Sequence, residues 1–134
     1  MECHVLTKNI TMKLELSPKP LKINADQEKM MRAVNNLFNN SIKHSLQGGK
    51  VTVKAFFING FARIEFLNDG ARIPEDKLEK IFDKFERLDK NVEGHGLGLS
   101  IAKDIIELHQ GKVWATSQNG TQNYFIVVLP LSKE

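Results

Sequence analysis

Three glycines stand at alternate positions, Gly94, Gly96 and Gly98, around the start of an amphipathic segment that begins at Leu97. Glycine permits positive φ and a close approach of backbone N–H groups to a ligand, and a helix N-terminus adds roughly half a positive charge. This combination is typical of an anion site, most often for phosphate. A purely structural role, in which the glycines only let a loop turn into a helix, fits equally well. The phosphate interpretation therefore needs support from elsewhere in the chain.

Better-known glycine motifs do not fit the sequence. A Walker A loop needs Ser or Thr after Gly-Lys, but Gly49-Lys50 and Gly111-Lys112 are each followed by Val. A dinucleotide fingerprint needs a third glycine where Leu99 stands. The HRD and DFG signatures of protein kinases are absent.

Support comes from the segment MMRAVNNLFNNSIKHS, which predicts a long helix. At roughly 100° per residue, Asn36, Asn40 and Lys43 lie within about 60° of one another, beside the apolar face. An amide oxygen is a suitable ligand for Mg²⁺ alongside phosphate oxygens and water, and a lysine neutralises phosphate. A solvated polar helix face is the alternative.

The remaining pattern predicts a two-layer α/β (α+β) sandwich, with a mixed, mainly antiparallel sheet of about five strands and three helices on one face. The other sheet face is expected to be partly wet. With 134 residues and 41% hydrophobic content, we expect one domain over residues 1–134. The predicted strands are ITMKLEL, VTVKAFFI, FARIEFLN, KVWATS and YFIVVLPL, and a turn at Asn59-Gly60 joins the second to the third. The predicted helices span about 26–46, the EDKLEKIFDKF segment after Pro74, and 97–110, where Gly111 ends the last helix.

Composition narrows the possible partners. The formal charge of +3 is spread along the chain, so no basic block favours nucleic acid. No apolar run approaches the ~20 residues of a membrane span, so we expect no direct membrane contact by this segment. The single cysteine, Cys3, excludes an internal disulfide and fits a reducing, cytoplasmic compartment.

Four segments, in this order, resemble the boxes of the ATP-binding catalytic domain of sensor histidine kinases. The wider family has the Bergerat-type fold and includes gyrase-type ATPases, heat-shock protein 90 and mismatch-repair ATPases. NNLFNNSIKHS is similar to the N box, NDGARIP to the G1 box, IFDKFERL to the F box and GHGLGLSIAKDI to the G2 box. The resemblance covers roughly residues 9–131.

The resemblance implies ATP and Mg²⁺ as ligands and a role for individual residues. Asn40 would be the Mg²⁺ ligand, Lys43 and Arg87 phosphate contacts, and residues 86–95 a lid over the nucleotide. His44 would lie near adenine, and Ile73 would pack under it; a histidine without a ligand and a core isoleucine are the alternatives. The implied catalytic set is Asn36, Asn40, Lys43 and Arg87, and the implied nucleotide set is Asn40, Lys43, His44, Asn68, Gly70, Ile73, Phe85, Gly94, His95, Gly96, Leu97, Gly98 and Leu99.

Three residues bear on the reaction and the affinity. Asn36 stands where gyrase-type hydrolases and related serine kinases carry a glutamate base, and an amide cannot take a proton, which favours transfer to histidine over hydrolysis. Asn68 replaces the aspartate that accepts from the adenine amine, which removes charge assistance worth on the order of 1 kcal/mol. Arg72 replaces a glycine beside the base, and whether it covers or obstructs the nucleotide stays open.

The expected function is transfer of the γ-phosphoryl group of Mg-ATP to a histidine on a separate dimerisation domain, with a response regulator downstream. None of the four histidines lies in the family's acceptor context, so the acceptor and sensor domains are expected outside this chain. The domain alone is expected to be a monomer, and the intact kinase a homodimer, possibly membrane-anchored. Two alternatives stay open: a non-catalytic nucleotide-binding or docking module with a degenerate G1 box, and a stand-alone anti-sigma-type serine kinase.

Overall fold

A computed structural model describes residues 2–5, 10–83, 98–118 and 122–132. These residues contain one sheet of six strands in the order β1-β2-β3-β4-β6-β5, in which β2 and β3 are parallel and every other pair is antiparallel. The mixed, mainly antiparallel sandwich is therefore confirmed, with one strand more than expected. The strands are β1 Glu2–Val5, β2 Ile10–Leu16, β3 Lys50–Ile58, β4 Phe61–Asp69, β5 Lys112–Gln118 and β6 Gln122–Pro130.

Two α-helices, α1 (Gln27–Lys43) and α2 (Gly98–Leu108), contribute to a core on one side of the sheet. Asp26 caps α1 by accepting a hydrogen bond from the Lys29 N–H at 3.0 Å. The helix ends three residues before the predicted boundary at Leu46. The Leu46 N–H is donated to the Asp69 carbonyl oxygen at 2.8 Å, so the chain here is bound to the end of β4 instead of continuing the helix.

The third predicted helix is replaced by two short 3₁₀ turns, Glu75–Lys77 and Lys80–Phe82. A helix of this length is marginal without tertiary support, and short 3₁₀ turns are a common alternative. The second turn places the adjacent side chains of Ile81 and Phe82 in the core, with 2% and 6% exposure. Phe85 lies outside the described residues.

The ends of α2 and of the central hairpin show two different uses of glycine. In the hairpin, Asn59 and Gly60 take φ of 50° and 85°, which confirms the predicted turn. At the end of α2, Gln110 rather than Gly111 takes the positive φ, 61°. Gly111 is required for space instead, because a Cβ there would lie 2.5 Å from the Val128 carbonyl oxygen.

The core lies between the helices and one face of the sheet, where strand residues alternate inward and outward. Its largest fully buried side chains include Leu37, Phe66, Ile106, Phe125 and Leu129. On the opposite face Arg63 lies over the Trp114 ring, 5.6 Å from its centroid, and pairs with Glu65 at 2.7 Å. Neither helix in the described part of the chain has the length and apolar character that a membrane crossing requires.

Candidate functional site

The end of β4 carries a buried polar side chain on the helix-facing side of the sheet. Phe66 is a core residue, so Asn68, two positions later, faces the same way. Asn68 is 1% exposed, and neither its Oδ1 nor its Nδ2 has a hydrogen-bond partner among the described residues. A buried amide with both atoms unpaired is costly to stability and is expected at a functional site rather than in an ordinary core.

The neighbouring residue, Asp69, has a different role. Its carboxylate accepts the Lys50 N–H at 3.0 Å, and its carbonyl oxygen accepts the Leu46 N–H at 2.8 Å. Asp69 therefore holds the segment that enters β3. Asn68 and Asp69 thus have different environments, and the assignment of Asn68 to the position of the family's adenine-binding aspartate stays a prediction.

A hydrogen-bonded network supports the loop that follows β4. Asn123 donates through Nδ2 to the Ala71 carbonyl oxygen at 2.9 Å, and Ser117 accepts the Ile73 N–H at 3.0 Å. The Ser117 hydroxyl is in turn donated to Asn123 Oδ1. Ser117 and Asn123 were not predicted, although both are polar residues at inward positions of strands, in phase with buried Ala115 and Phe125. That phase is the signal by which they could have been found.

Gly70 joins this loop to the end of α1. It forms an isolated antiparallel bridge with Ser45, and a Cβ at this position would collide with the His44 carbonyl oxygen. The same Cβ would lie 2.8 Å from Asn68 Nδ2. Only a glycine allows the two backbones to approach this closely while leaving room for the Asn68 amide.

The polar face of α1 leads from this point toward α2. Asn40 is partly buried, and its Nδ2 atom is buried without a hydrogen-bond partner in the described structure. One turn earlier, Asn36 faces the first residue of α2, since a Cβ built on Gly98 would lie 3.9 Å from the Asn36 side chain. Lys43, in the last turn of α1, is exposed. The predicted N box and the start of α2 are thus neighbours.

The remaining predicted site residues divide into two groups. Ile73 is 2% exposed and belongs to the core, and Leu99 packs against that core. His44 caps α1 at its C-terminus, with its N–H donated to the Asn40 carbonyl oxygen at 3.1 Å. The predictions for Phe85, Arg87, Gly94, His95, Gly96 and Leu97 lie outside the described residues.

Unpaired amide atoms thus occur on α1, at Asn40 Nδ2, and at the end of β4, at Asn68, while Asn36 of α1 lies beside Gly98 at the start of α2. The model of the histidine kinase-, DNA gyrase B-, and HSP90-like ATPase family matches residues 25–133. The chain belongs to this family.

Relatives place the chain more narrowly within the family. Sensor histidine kinase WalK of Bacillus subtilis is 33% identical over 126 residues, which are 89% of this chain and 20% of WalK. The chain thus spans about a fifth of that relative's length.

Solved structures agree with this placement. The nucleotide-free catalytic domain of histidine kinase ThkA has a TM-score of 0.82 at 32% identity, covering 92% of this chain and 80% of that one. ThkA in complex with the response regulator protein TrrA has a TM-score of 0.79 at 30% identity, covering 94% of this chain and 35% of that one. Full-length ShkA in complex with AMPPNP has a TM-score of 0.83 at 25% identity, covering 96% of this chain and 27% of that one. The chain is an ATP-binding catalytic domain of the histidine kinase type.

Proposed function

We propose that this domain binds Mg-ATP between α1, the loop after β4 and the N-terminus of α2, and transfers the γ-phosphoryl group to a histidine on a separate domain. The observation that carries the proposal is the unpaired amide atoms on two different elements. Asn68 is buried with both side-chain atoms unpaired, and Asn40 is partly buried with its Nδ2 atom buried and unpaired among the described residues. Leaving a buried polar group unpaired costs about 1–3 kcal/mol. A ligand with complementary polar atoms would offset that cost in the bound state.

The residues present fit a magnesium ion that is shared with the nucleotide. Mg²⁺ in nucleotide sites uses one or two protein oxygens, and phosphates and water complete its coordination. Among the described residues no three His, Cys, Asp or Glu side chains cluster as a metal site, so a cage of protein ligands is not the pattern here. Asn40 supplies a single amide, and a half-turn of that amide exchanges its oxygen with the buried, unpaired nitrogen position. Bound there, the metal would neutralise charge on the transferring phosphoryl group.

The chain's own residues act mainly by positioning and by charge. Lys43 and Arg87 would neutralise phosphate oxygens, and the backbone N–H groups at the start of α2, at Gly96 and Gly98, would face them. In the reaction an imidazole nitrogen of the acceptor attacks the γ-phosphorus, the bond to the bridging oxygen breaks, and ADP leaves. Asn36 beside the site cannot act as a base for water, so this arrangement favours transfer to a nucleophilic imidazole over hydrolysis.

The proposed partners follow from the same reaction. The acceptor histidine belongs to a dimerisation domain outside this chain, and a response regulator takes the phosphoryl group next. The structure of ThkA in complex with the response regulator protein TrrA supports a partner of this kind. We expect this segment to be a cytoplasmic monomer on its own and part of a homodimer in the intact kinase.

The test combines binding with phosphotransfer. Isothermal titration with a non-hydrolysable ATP analogue should show saturable binding that Mg²⁺ strengthens, and an added acceptor domain should become labelled on histidine. Asn40→Asp should abolish labelling, because it places an anion beside the triphosphate and removes the neutral amide. The control is Asn39→Asp, which makes the same substitution at an exposed position of the same helix.

Three outcomes would contradict the proposal. A folded Asn40→Asp variant that transfers phosphate at the normal rate would refute the role of Asn40. Binding without any transfer to an acceptor domain would favour the docking-module alternative, which Asn68 and the exposed Arg72 motivate. Acid-stable phosphoserine on a partner would revive the serine-kinase alternative, against which Asn36 argues.

A further inference from the structure

We infer that Asn68 makes this site tolerant of the purine base, so that 6-oxo purine nucleotides such as ITP and GTP bind nearly as well as ATP. The inference rests on the proposed function, because it concerns the base that the same site would hold. It assigns Asn68 as the residue that sets base selectivity.

The first step is that Asn68 has both a donor and an acceptor available. Its Nδ2 and Oδ1 are buried and unpaired, and the residue is 1% exposed. The other amide on the same edge, Asn123, has both atoms engaged, one by the Ala71 carbonyl oxygen and one by the Ser117 hydroxyl. The Asp69 carboxylate is taken by the Lys50 N–H. Among the described polar residues around this loop, Asn68 is therefore the side chain whose amide can read a base.

The second step is that the amide can present either orientation. No hydrogen bond in the described structure fixes which atom is nitrogen, and a 180° rotation about the terminal bond exchanges donor and acceptor. Gly70 leaves the space for this rotation, since even a methyl group there would lie 2.8 Å from Asn68 Nδ2.

The third step is the chemistry of the purine edge. Adenine offers a 6-amino donor beside the N1 acceptor, whereas a 6-oxo purine offers an O6 acceptor beside the N1–H donor. An asparagine amide pairs with either edge by rotating, just as it does with other donor–acceptor pairs. A carboxylate only accepts, so a carboxylate oxygen opposite the 6-position suits the 6-amino group and repels the lone pairs of O6, with only the N1–H left as a donor to it. Replacing aspartate by Asn68 thus removes the element that rejects the 6-oxo edge, and specificity depends on such repulsive elements.

The test measures dissociation constants by titration for ATP, ITP and GTP on the domain with Mg²⁺. ITP carries the 6-oxo edge alone, and GTP adds a 2-amino group, so ITP isolates the interaction at issue. We expect the ITP constant to be within about fivefold of the ATP constant, and Asn68→Asp to increase the preference for ATP by about tenfold or more. The charge-matched control is Asn59→Asp in the hairpin turn, a position that tolerates Asp and lies at the opposite end of β4 from Asn68. It should leave the ATP-to-ITP ratio unchanged.

The outcomes separate the inference from the proposed function. Failure of ATP to bind would refute the proposed function itself. ATP binding with an ITP constant more than tenfold weaker would overturn this inference alone, and that result needs no variant, so it stands even if Asn68→Asp does not fold. A folded Asn68→Asp variant with the wild-type ratio would also overturn it, because selectivity would then come from another residue.

Discussion

The most sensitive position in the described site is Gly70, and Gly70→Ala should destabilise the domain strongly. An alanine Cβ would collide with the His44 carbonyl oxygen and would lie 2.8 Å from Asn68 Nδ2. Real Cβ atoms essentially never approach other heavy atoms within 3.0 Å. Because the first obstacle is backbone, it cannot be relieved by rotating a flexible side chain. The end of α1 and the end of β4 must separate by roughly half an ångström or more, which weakens every contact across the gap.

The size of the effect follows from two contributions. Overpacking of this kind typically costs about 1–3 kcal/mol. Separation also strains the adjoining hydrogen bond from the Leu46 N–H to the Asp69 carbonyl oxygen, now 2.8 Å, whose net value is about 1 kcal/mol. The sum is about 2–4 kcal/mol, which for a domain of this size lowers Tm by roughly 6–15 °C.

Thermal unfolding of the purified domain, followed by circular dichroism, measures this directly. The matched control is Gly98→Ala, where the nearest atoms to the new Cβ belong to Asn36 at 3.9 Å, an ordinary contact. Alanine also favours the helical state by up to about 1 kcal/mol, so the control should keep or raise Tm. A Gly70→Ala variant that melts within 2 °C of the parent, roughly the effect of 0.5 kcal/mol, would refute the close approach of α1 and β4.

Two further substitutions test neighbouring features. Asp69→Ala should lower the free energy of unfolding by about 1 kcal/mol, because it removes the acceptor of the Lys50 N–H, and urea unfolding measures this loss. The ratio of the ATP and ITP dissociation constants, measured by titration, should not change. An altered ratio would show that Asp69, not Asn68, faces the base. His109→Leu should lower the free energy of unfolding, measured in urea, by about 1–2 kcal/mol. The imidazole accepts the Asp26 N–H at 3.0 Å and forms a hydrogen bond of 2.7 Å with the Ile105 carbonyl oxygen. Unchanged stability would mean that this link between the two helices contributes nothing.

Much of the fold could be predicted because strand and helix periods are local properties. The alternation in ITMKLEL and the Asn59-Gly60 pair predicted β2 and the hairpin turn, and both are confirmed. The third predicted helix forms two 3₁₀ turns instead of one α-helix. Ile81 and Phe82 would fit the apolar face of an α-helix as well, so the local sequence could not distinguish the two. The strand Glu2–Val5 was missed for a similar reason, since four residues carry too little pattern to be recognised without their partner β2.

The site could be predicted in part. Contacts between residues that are far apart in the sequence could not be predicted. Box order predicted Asn36, Asn40 and Asn68 as candidates; Asn68 is buried and unpaired among the described residues while the Asp69 carboxylate is engaged, and their roles toward a nucleotide stay predictions. The support from Ser117 and Asn123 was not predicted, because it depends on the register between β5 and β6. Register is set by pairing in three dimensions, and a one-residue slip would turn both side chains to the other face.

The exchange of aspartate for Asn68 has a physical consequence in the absence of nucleotide. A fully buried, unpaired carboxylate costs far more to desolvate than a neutral amide. The amide still leaves two unpaired atoms, but their cost of about 1–3 kcal/mol is tolerable within the 5–15 kcal/mol of a typical domain. We therefore expect the domain with Asn68 to lose the charge-assisted bond to an adenine amine while its nucleotide-free state becomes less costly. Under the proposed role of Asn68, the site would depend less on bound nucleotide for its stability and would read the base by a donor and an acceptor together.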